Sequence, residues 1–335
     1  MSMNMSKMLF YSMLFMSTML VMSSSNWLSM WMGLEINMMS FITLMYYKKN
    51  YSSSESMMSY FMVQSISSMM FLIIITMNYT MMISPEMLSN TVNTLLLCTM
   101  MFKMGAAPFH FWMPQIMQKM KWSMCMLLMT WQKLAPMSIL SSMINNNTTI
   151  MIMAMMSTIV GSIGGLNQTS LRKIMAYSSI NHMGWMLSCL MLDNEMWMSY
   201  IAIYSMLTIM TINFFMKMSM YHINQMSINS MTMMEKTIYF SLMLSMGGLP
   251  PFIGFLPKWM VIQSLMMKNM YLILLVMMLM TLLTLFYYIR TMSTIMLMNS
   301  TMNKWMLTTK INKNSQLMMI MINLMLPWMM VINFF

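Results

Sequence analysis

The sequence predicts an all-α polytopic membrane protein with about eleven transmembrane helices. Three observations lead there. Of 335 residues, 59% are hydrophobic and only 7% are charged, against about 25% charged in a typical soluble domain. Apolar blocks of membrane-spanning length recur along the whole chain, and no polar stretch between them is long enough to fold as a soluble domain. The basic residues collect in the short connections, mostly on one side. Residues 1–335 therefore read as a single membrane domain.

The first span, 8–23, follows Lys7 and ends in Ser23–Ser25. A signal peptide has a similar layout, but the charged start here is weak and the alternation of loop charges works with this segment kept as a span. The second, 26–46, contains Trp31-Met-Gly-Leu-Glu-Ile-Asn37, and the third is 57–77. The fourth, 87–107, carries Lys103 and runs up to Gly105 and Pro108, whereas the fifth, 123–143, contains Lys133 and Pro136. Spans at 148–166, 174–192 and 196–216 follow. A ninth block, 237–267, is too long for one straight helix and holds Gly247-Gly-Leu-Pro-Pro251. It should break into two half-helices. The last two spans are 271–289 and 316–335.

Alternating the loops across these spans tests the set. Lys7, Lys48, Lys49, Lys119, Lys121, Arg172, Lys173, Lys217, Lys236, Arg290, Lys304, Lys310 and Lys313 fall on one side. Lys268 alone falls on the other, with Glu86, Asp193 and Glu195. Thirteen against one is the positive-inside pattern. The N-terminus then lies on the cytoplasm-equivalent face, which is the matrix for an organellar product, and the C-terminus lies opposite.

Two segments echo each other. Pro108-Phe-His-Phe-Trp-Met-Pro114 and Pro251-Phe-Ile-Gly-Phe-Leu-Pro257 share the frame Pro-Phe-x-x-aromatic-apolar-Pro, each preceded by glycine. They belong to the fourth and ninth spans, an odd offset, so the copies should enter the membrane from opposite sides. Inverted repeats with broken helices across a transport path have this signature.

Four charges lie inside apolar spans: Glu35, Lys103, Lys133 and Lys258. A charge at the bilayer centre costs about 2.5–3.5 kcal/mol on insertion scales, so each needs a reason. Lys103 precedes Pro108, Lys133 precedes Pro136 and Lys258 follows Pro257. Proline leaves the carbonyl four residues earlier without its helical N–H, giving a nearby ammonium an acceptor. The bland alternatives are a protonated Glu35, a Lys103 that snorkels to the headgroups, and a Lys258 that only satisfies carbonyls at a half-helix end. The functional alternative is a proton path, because burial favours the neutral form of a lysine and a neighbouring charge can switch it back. His182, central in the seventh span, is a candidate connecting relay or a structural histidine. His110 and His222 fall in interfacial segments and are assigned no role.

Several classes are excluded. Cys98, Cys125 and Cys189 are isolated, so neither a disulfide framework nor a zinc or iron–sulfur site follows. No Gly-rich phosphate loop occurs for a nucleotide cofactor. The net charge of +11 is spread over short loops and does not describe a nucleic-acid surface. Methionine supplies 72 residues, an excess that reads as a coding effect, as when AUA is translated as Met, rather than as core design. Membrane lipids are the expected surroundings.

The sequence resembles subunit 2 of the mitochondrial NADH:ubiquinone oxidoreductase family, in an arthropod-like form. The likeness is carried by Trp31–Asn37, Lys103-Met-Gly-Ala-Ala-Pro-Phe-His-Phe-Trp112, Thr130-Trp-Gln-Lys-Leu-Ala-Pro136, Gly164-Gly-Leu-Asn-Gln-Thr-Ser-Leu-Arg-Lys-Ile174, His182-Met-Gly-Trp185 and Gly247–Trp259. The resemblance implies an antiporter-like membrane-arm subunit of the inner mitochondrial membrane that moves protons from matrix to intermembrane space. It implies two inverted five-helix repeats, about 8–143 and about 148–290, plus a C-terminal helix at about 316–335. Glu35 would pair with Lys103, Lys133 would be the central relay and Lys258 would serve the exit side. This chain would hold no cofactor, with flavin, iron–sulfur clusters and ubiquinone in other subunits of the complex. Its partners would be other membrane-arm subunits, including further antiporter-like ones. Two other readings of the buried charges are a self-sufficient Na⁺/H⁺ antiporter and a structural spacer. One departure stands out: Lys103 and Lys258 are not at equivalent positions of the two Pro-framed copies.

Overall fold

The computed structural model describes residues 5–46, 51–80, 85–143, 147–192, 195–225, 232–297 and 313–324. The chain forms two compact units, Met1–Met153 and Ala154–Phe335. Six helices among the described residues are long and apolar enough to cross a membrane. Of the other sequence-marked spans, 87–107, 123–143, 174–192 and 237–267 are shorter in their described part, broken or more polar, and 316–335 lies mostly outside the described residues, so the eleven-span count rests on the sequence reading.

The first unit begins with α1 (Met5–Ser23) and α2 (Trp27–Met45), which pack along each other. Gly33 allows the close approach: a Cβ there would stand 2.5 Å from the Val21 side chain. Next come α3 (Tyr51–Thr80) and α4 (Pro85–Met104), also mutual neighbours. A short helix follows that the span reading misses, α5 (Trp112–Lys119), packed on α3. Beside it, Lys119 pairs with Glu55. The fifth span, expected as one helix, is three pieces: α6 (Trp122–Met129), a 3₁₀ turn (Trp131–Lys133) and α7 (Leu134–Ser142). Pro136 is the physical reason. It sits in the first turn of α7, where a missing N–H is tolerated, and it cannot continue the bonding of the helix before it.

The second unit takes up the rest of α8 (Asn147–Gly165), then α9 (Leu171–Leu192) and α10 (Met196–Lys217). α9 is buried on nearly every face. Small residues let it meet α8: a Cβ on Gly184 would lie 2.4 Å from Thr158, and one on Gly161 would lie 2.5 Å from the Asn181 backbone. Close packing at small residues is the usual solution where lipid competes with side chains. The expected break in the ninth block is present, as α11 (Met233–Gly247) and α12 (Phe255–Met267). α13 (Tyr271–Leu297) packs on both. α14 (Lys313–Asn323) packs on α11, where Gln316 donates to the fully buried Glu235 carboxylate at 3.4 Å. Most of the predicted C-terminal span, 325–335, lies outside the described residues.

Candidate functional site

The two Pro-framed segments fold alike. In the first unit α4 ends at Gly105, whose φ is +69°. The Gly105 N–H donates to the Phe102 carbonyl at 3.3 Å and the Ala106 N–H to the Met101 carbonyl at 3.1 Å. In the second unit α11 ends at Gly248, with φ +76°. There the Gly248 N–H reaches Ser245 at 3.0 Å and the Leu249 N–H reaches Leu244 at 3.2 Å. Both are Schellman closures, which need a residue that accepts the left-handed conformation. Three residues after each glycine comes a cis proline, Pro108 or Pro251. The next helix begins four residues further on, at Trp112 or Phe255, with Pro114 or Pro257 in its first turn.

The carbonyls left over at the two breaks find different partners. At the first, Gln64 donates its amide to the Lys103 carbonyl at 3.0 Å, and the Trp112 indole donates to Phe102 at 3.1 Å. At the second, the Lys258 ammonium donates to the Gly247 carbonyl at 2.7 Å. Lys258 also fills the space beside Gly248, where a Cβ would meet its Cδ at 2.8 Å. Lys103 thus lies on the helix before its break, while Lys258 lies on the helix after its own and folds back. The hydrogen bond at Lys258 is the carbonyl-satisfying contact weighed from the sequence, and it does not preclude proton carriage.

In the first unit three of the four charges come together. Lys103 is 7% exposed and Lys133 is 2% exposed, so neither reaches out of the unit. Both line one cavity, with about 20 Å³ open to the centre of a water molecule; that is room for about one water. Glu35, half-buried on α2, acts electrostatically on Lys103. Three neutral amides also line the cavity, Asn37, Gln64 and Gln132, beside Tyr60 and apolar neighbours such as Leu34 and Leu128. Gln132 donates to the Asn37 side-chain oxygen at 2.9 Å, tying the 3₁₀ turn before Lys133 to α2. The sequence reading assigned none of these amides a role. The signal was at hand, because Asn37 and Gln132 lie inside the motifs that hold Glu35 and Lys133.

Lys258 and His182 belong to the second unit. Lys258 is 6% exposed and His182 is 7% exposed. The His182 Nδ1 lies 2.9 Å from the Tyr200 hydroxyl, and the Tyr204 ring packs on the imidazole with centroids 4.9 Å apart. Lys268, the lone cation of the sparsely charged side, donates to the Met191 carbonyl at 3.1 Å and to Leu192, capping α9. Among the described residues no cluster of His, Cys, Asp or Glu is arranged to hold a metal ion.

Buried lysines beside broken helices, in an all-helical polytopic chain, define an antiporter-type membrane protein. Residues 24–284 match the family described as NADH:quinone oxidoreductase/Mrp antiporter, transmembrane. The chain is 44% identical over 316 residues to NADH-ubiquinone oxidoreductase chain 2 of Locusta migratoria, covering 92% of this chain and 91% of that one. It is 42% identical over 307 residues to the Anopheles gambiae protein of the same name, with coverage of 91% and 90%. Its backbone is similar to a chain in the structure of respiratory complex I from Thermus thermophilus with bound aureothin, with a TM-score of 0.85 at 19% identity over 98% of this chain and 78% of that one. It is also similar to a chain of the Mrp complex from Dietzia sp. DQ12-45-1b, with a TM-score of 0.75 at 14% identity over 85% and 59%. At those identities the two structures speak to the fold alone. The chain belongs to the NADH:quinone oxidoreductase/Mrp antiporter family, on the branch of the NADH-ubiquinone oxidoreductase chain 2 proteins.

Proposed function

We propose that this chain is a proton-translocating, antiporter-like membrane-arm subunit of an NADH:ubiquinone oxidoreductase in the mitochondrial inner membrane. Its N-terminus faces the matrix and its C-terminus the intermembrane space. Glu35, Lys103, Lys133 and Lys258 carry the protons, with His182 as a connecting relay, and electron transfer in other subunits drives them. The redox groups and quinone belong to those subunits, and further antiporter-like subunits are its neighbours. The two half-channels derive from inverted five-helix repeats. The observation that carries this reading is the shared cavity. Two ammonium groups removed from bulk solvent face the same small amide-lined cavity, with a carboxylate acting on one of them.

Loss of charge at the centre of that space is the direct test. Lys133→Met in the assembled complex should abolish proton pumping coupled to quinone reduction. NADH oxidation by an artificial acceptor, which bypasses the membrane arm, should continue. Proton-to-electron stoichiometry at the unmodified level in that variant would remove Lys133 from the path and leave the chain as a spacer.

A further inference from the structure

We propose that the second unit holds a proton-conducting chain of buried hydroxyls that runs from its basic loop face to His182. The proposal rests on the proton-translocation reading above and supplies that reading with an uptake route. His182 lies eleven residues into α9, about 16 Å along the helix, and so near the middle of a hydrocarbon core about 30 Å thick. From its Nδ1, 2.9 Å leads to the Tyr200 hydroxyl. Tyr204, one turn along α10, stacks against the imidazole and interacts with the Ser179 hydroxyl. Tyr288 faces Ser178, the neighbour of Ser179 and one turn before His182 on α9. Its ring lies 4.7 Å from that of Tyr287.

The outer end is at the loop that joins α8 to α9. The Tyr287 ring lies on Gly165, where a Cβ would approach it to 2.7 Å. Arg290 grips the same loop, donating to the Leu166 carbonyl and, at 2.6 Å, to that of Gln168. Arg172 follows, its guanidinium 4.8 Å from the Tyr221 ring. This is the basic face from which positive-inside topology would draw protons.

These tyrosines are costly unless the hydroxyls are used. Tyr200, Tyr204, Tyr287 and Tyr288 are all 2% exposed or less. Phenylalanine would fill the same space without desolvating an O–H. The Tyr287 and Tyr288 oxygens sit near each other, and that of Tyr288 near Ser178, but neither makes a well-aligned hydrogen bond among the described residues. Their protons are therefore not committed to one acceptor.

In one passage a proton arrives at the Tyr287 oxygen as the proton already there moves on to Tyr288. Each oxygen loses one O–H bond and gains one, so no phenolate accumulates. From Tyr288 the displacement passes to Tyr204 and on to Tyr200, neighbours that interact electrostatically with it, each oxygen again losing one O–H bond and gaining one. Tyr200 donates to Nδ1 of His182 as it is reprotonated, while Nε2 releases its proton inward. One proton moves and nothing is oxidised or reduced. Rotation of the hydroxyls and a tautomer change at His182 reset the chain.

Tyr200→Phe and Tyr288→Phe, each in the assembled complex in proteoliposomes, test the route. The control is Tyr271→Phe, exposed at the opposite end of the helix that carries Tyr288, its hydroxyl donating to Asn269 at 3.0 Å. The first two should lower the protons pumped per NADH and enlarge the solvent deuterium isotope effect on quinone-linked turnover. The control should match the unmodified complex in both. If a Phe variant fails to assemble, Ser178→Ala removes the Tyr288 partner from another helix and carries the same expectation. Unmodified pumping in all of these, with pumping lost in Lys133→Met, would overturn the route while the lysine reading stands. Unmodified pumping in Lys133→Met as well would overturn both.

Discussion

Asn37 and Gln132 show what a pair of amides contributes beside a buried charge. Each group is a donor and an acceptor, so their 2.9 Å contact leaves the other polar atoms to face the cavity shared by Lys103 and Lys133. Gln132→Leu should cost about 1–3 kcal/mol, because Asn37, at 3% exposure, is then left buried without that partner. Thermal melting of the purified complex would read the loss, and proton pumping should fall with it. A variant with unmodified melting and pumping would show that the bridge neither stabilises the turn nor serves transfer. The lysines were legible in the sequence and the amides were not. A charge stands out in an apolar run, whereas a neutral amide gains importance only through what lies across the cavity. His182 was marked because histidine titrates near neutrality. Its hydroxyl partners were silent, since tyrosine is common at membrane interfaces and only burial sets these apart.

The helix breaks are the element-scale features that the sequence disclosed best. Gly-Gly-Leu-Pro-Pro predicted two half-helices, and α11 and α12 are those halves. The Pro-framed echo predicted a second break of the same form, which the backbone at Gly105 and Pro108 supplies. The 3₁₀ turn at Trp131–Lys133 was not foreseen. Pro136 announced only one missing N–H, and whether a helix bends or splits there is decided by neighbours such as Asn37. α5 was missed because its eight residues are too few to show a period. Gly248→Ala tests the closure directly. Its left-handed φ costs a non-glycine residue about 1–2 kcal/mol, and the new Cβ would press on the Lys258 side chain. Weaker assembly together with lower pumping is expected, whereas the exposed and ordinarily helical Ser54→Ala should change neither.

Among the described residues six helices are of membrane length, where the sequence marked about eleven spans. The shortfall has physical causes. The fifth and ninth spans are split, and α9 carries Ser178, Ser179, Asn181, His182 and Ser188 because protein rather than lipid surrounds it. Hydropathy alone undervalues such a helix, while loop charge still counts it, since removing it would put Lys217 on the face opposite Arg172 and Lys173. Topology is therefore open to a labelling test. Cysteines placed at the exposed Lys217 and Tyr271 positions should react with a membrane-impermeant thiol reagent from opposite faces, Lys217→Cys from the matrix. Labelling of both from one face would refute the span set. The chain reconstituted alone should show no Na⁺/H⁺ exchange, because the only carboxylate within its marked spans is Glu35; robust exchange would instead favour a self-contained antiporter.

The bond from Lys258 to the Gly247 carbonyl bears on electroneutrality within the bilayer. The C-terminal end of a helix carries roughly half a negative charge, and the ammonium of Lys258 rests on that pole rather than on a carboxylate. A full counter-ion would hold the proton in a deep well. A fractional one, fixed in the backbone and unable to titrate, steadies the cation yet lets it discharge, and no side-chain substitution can delete it.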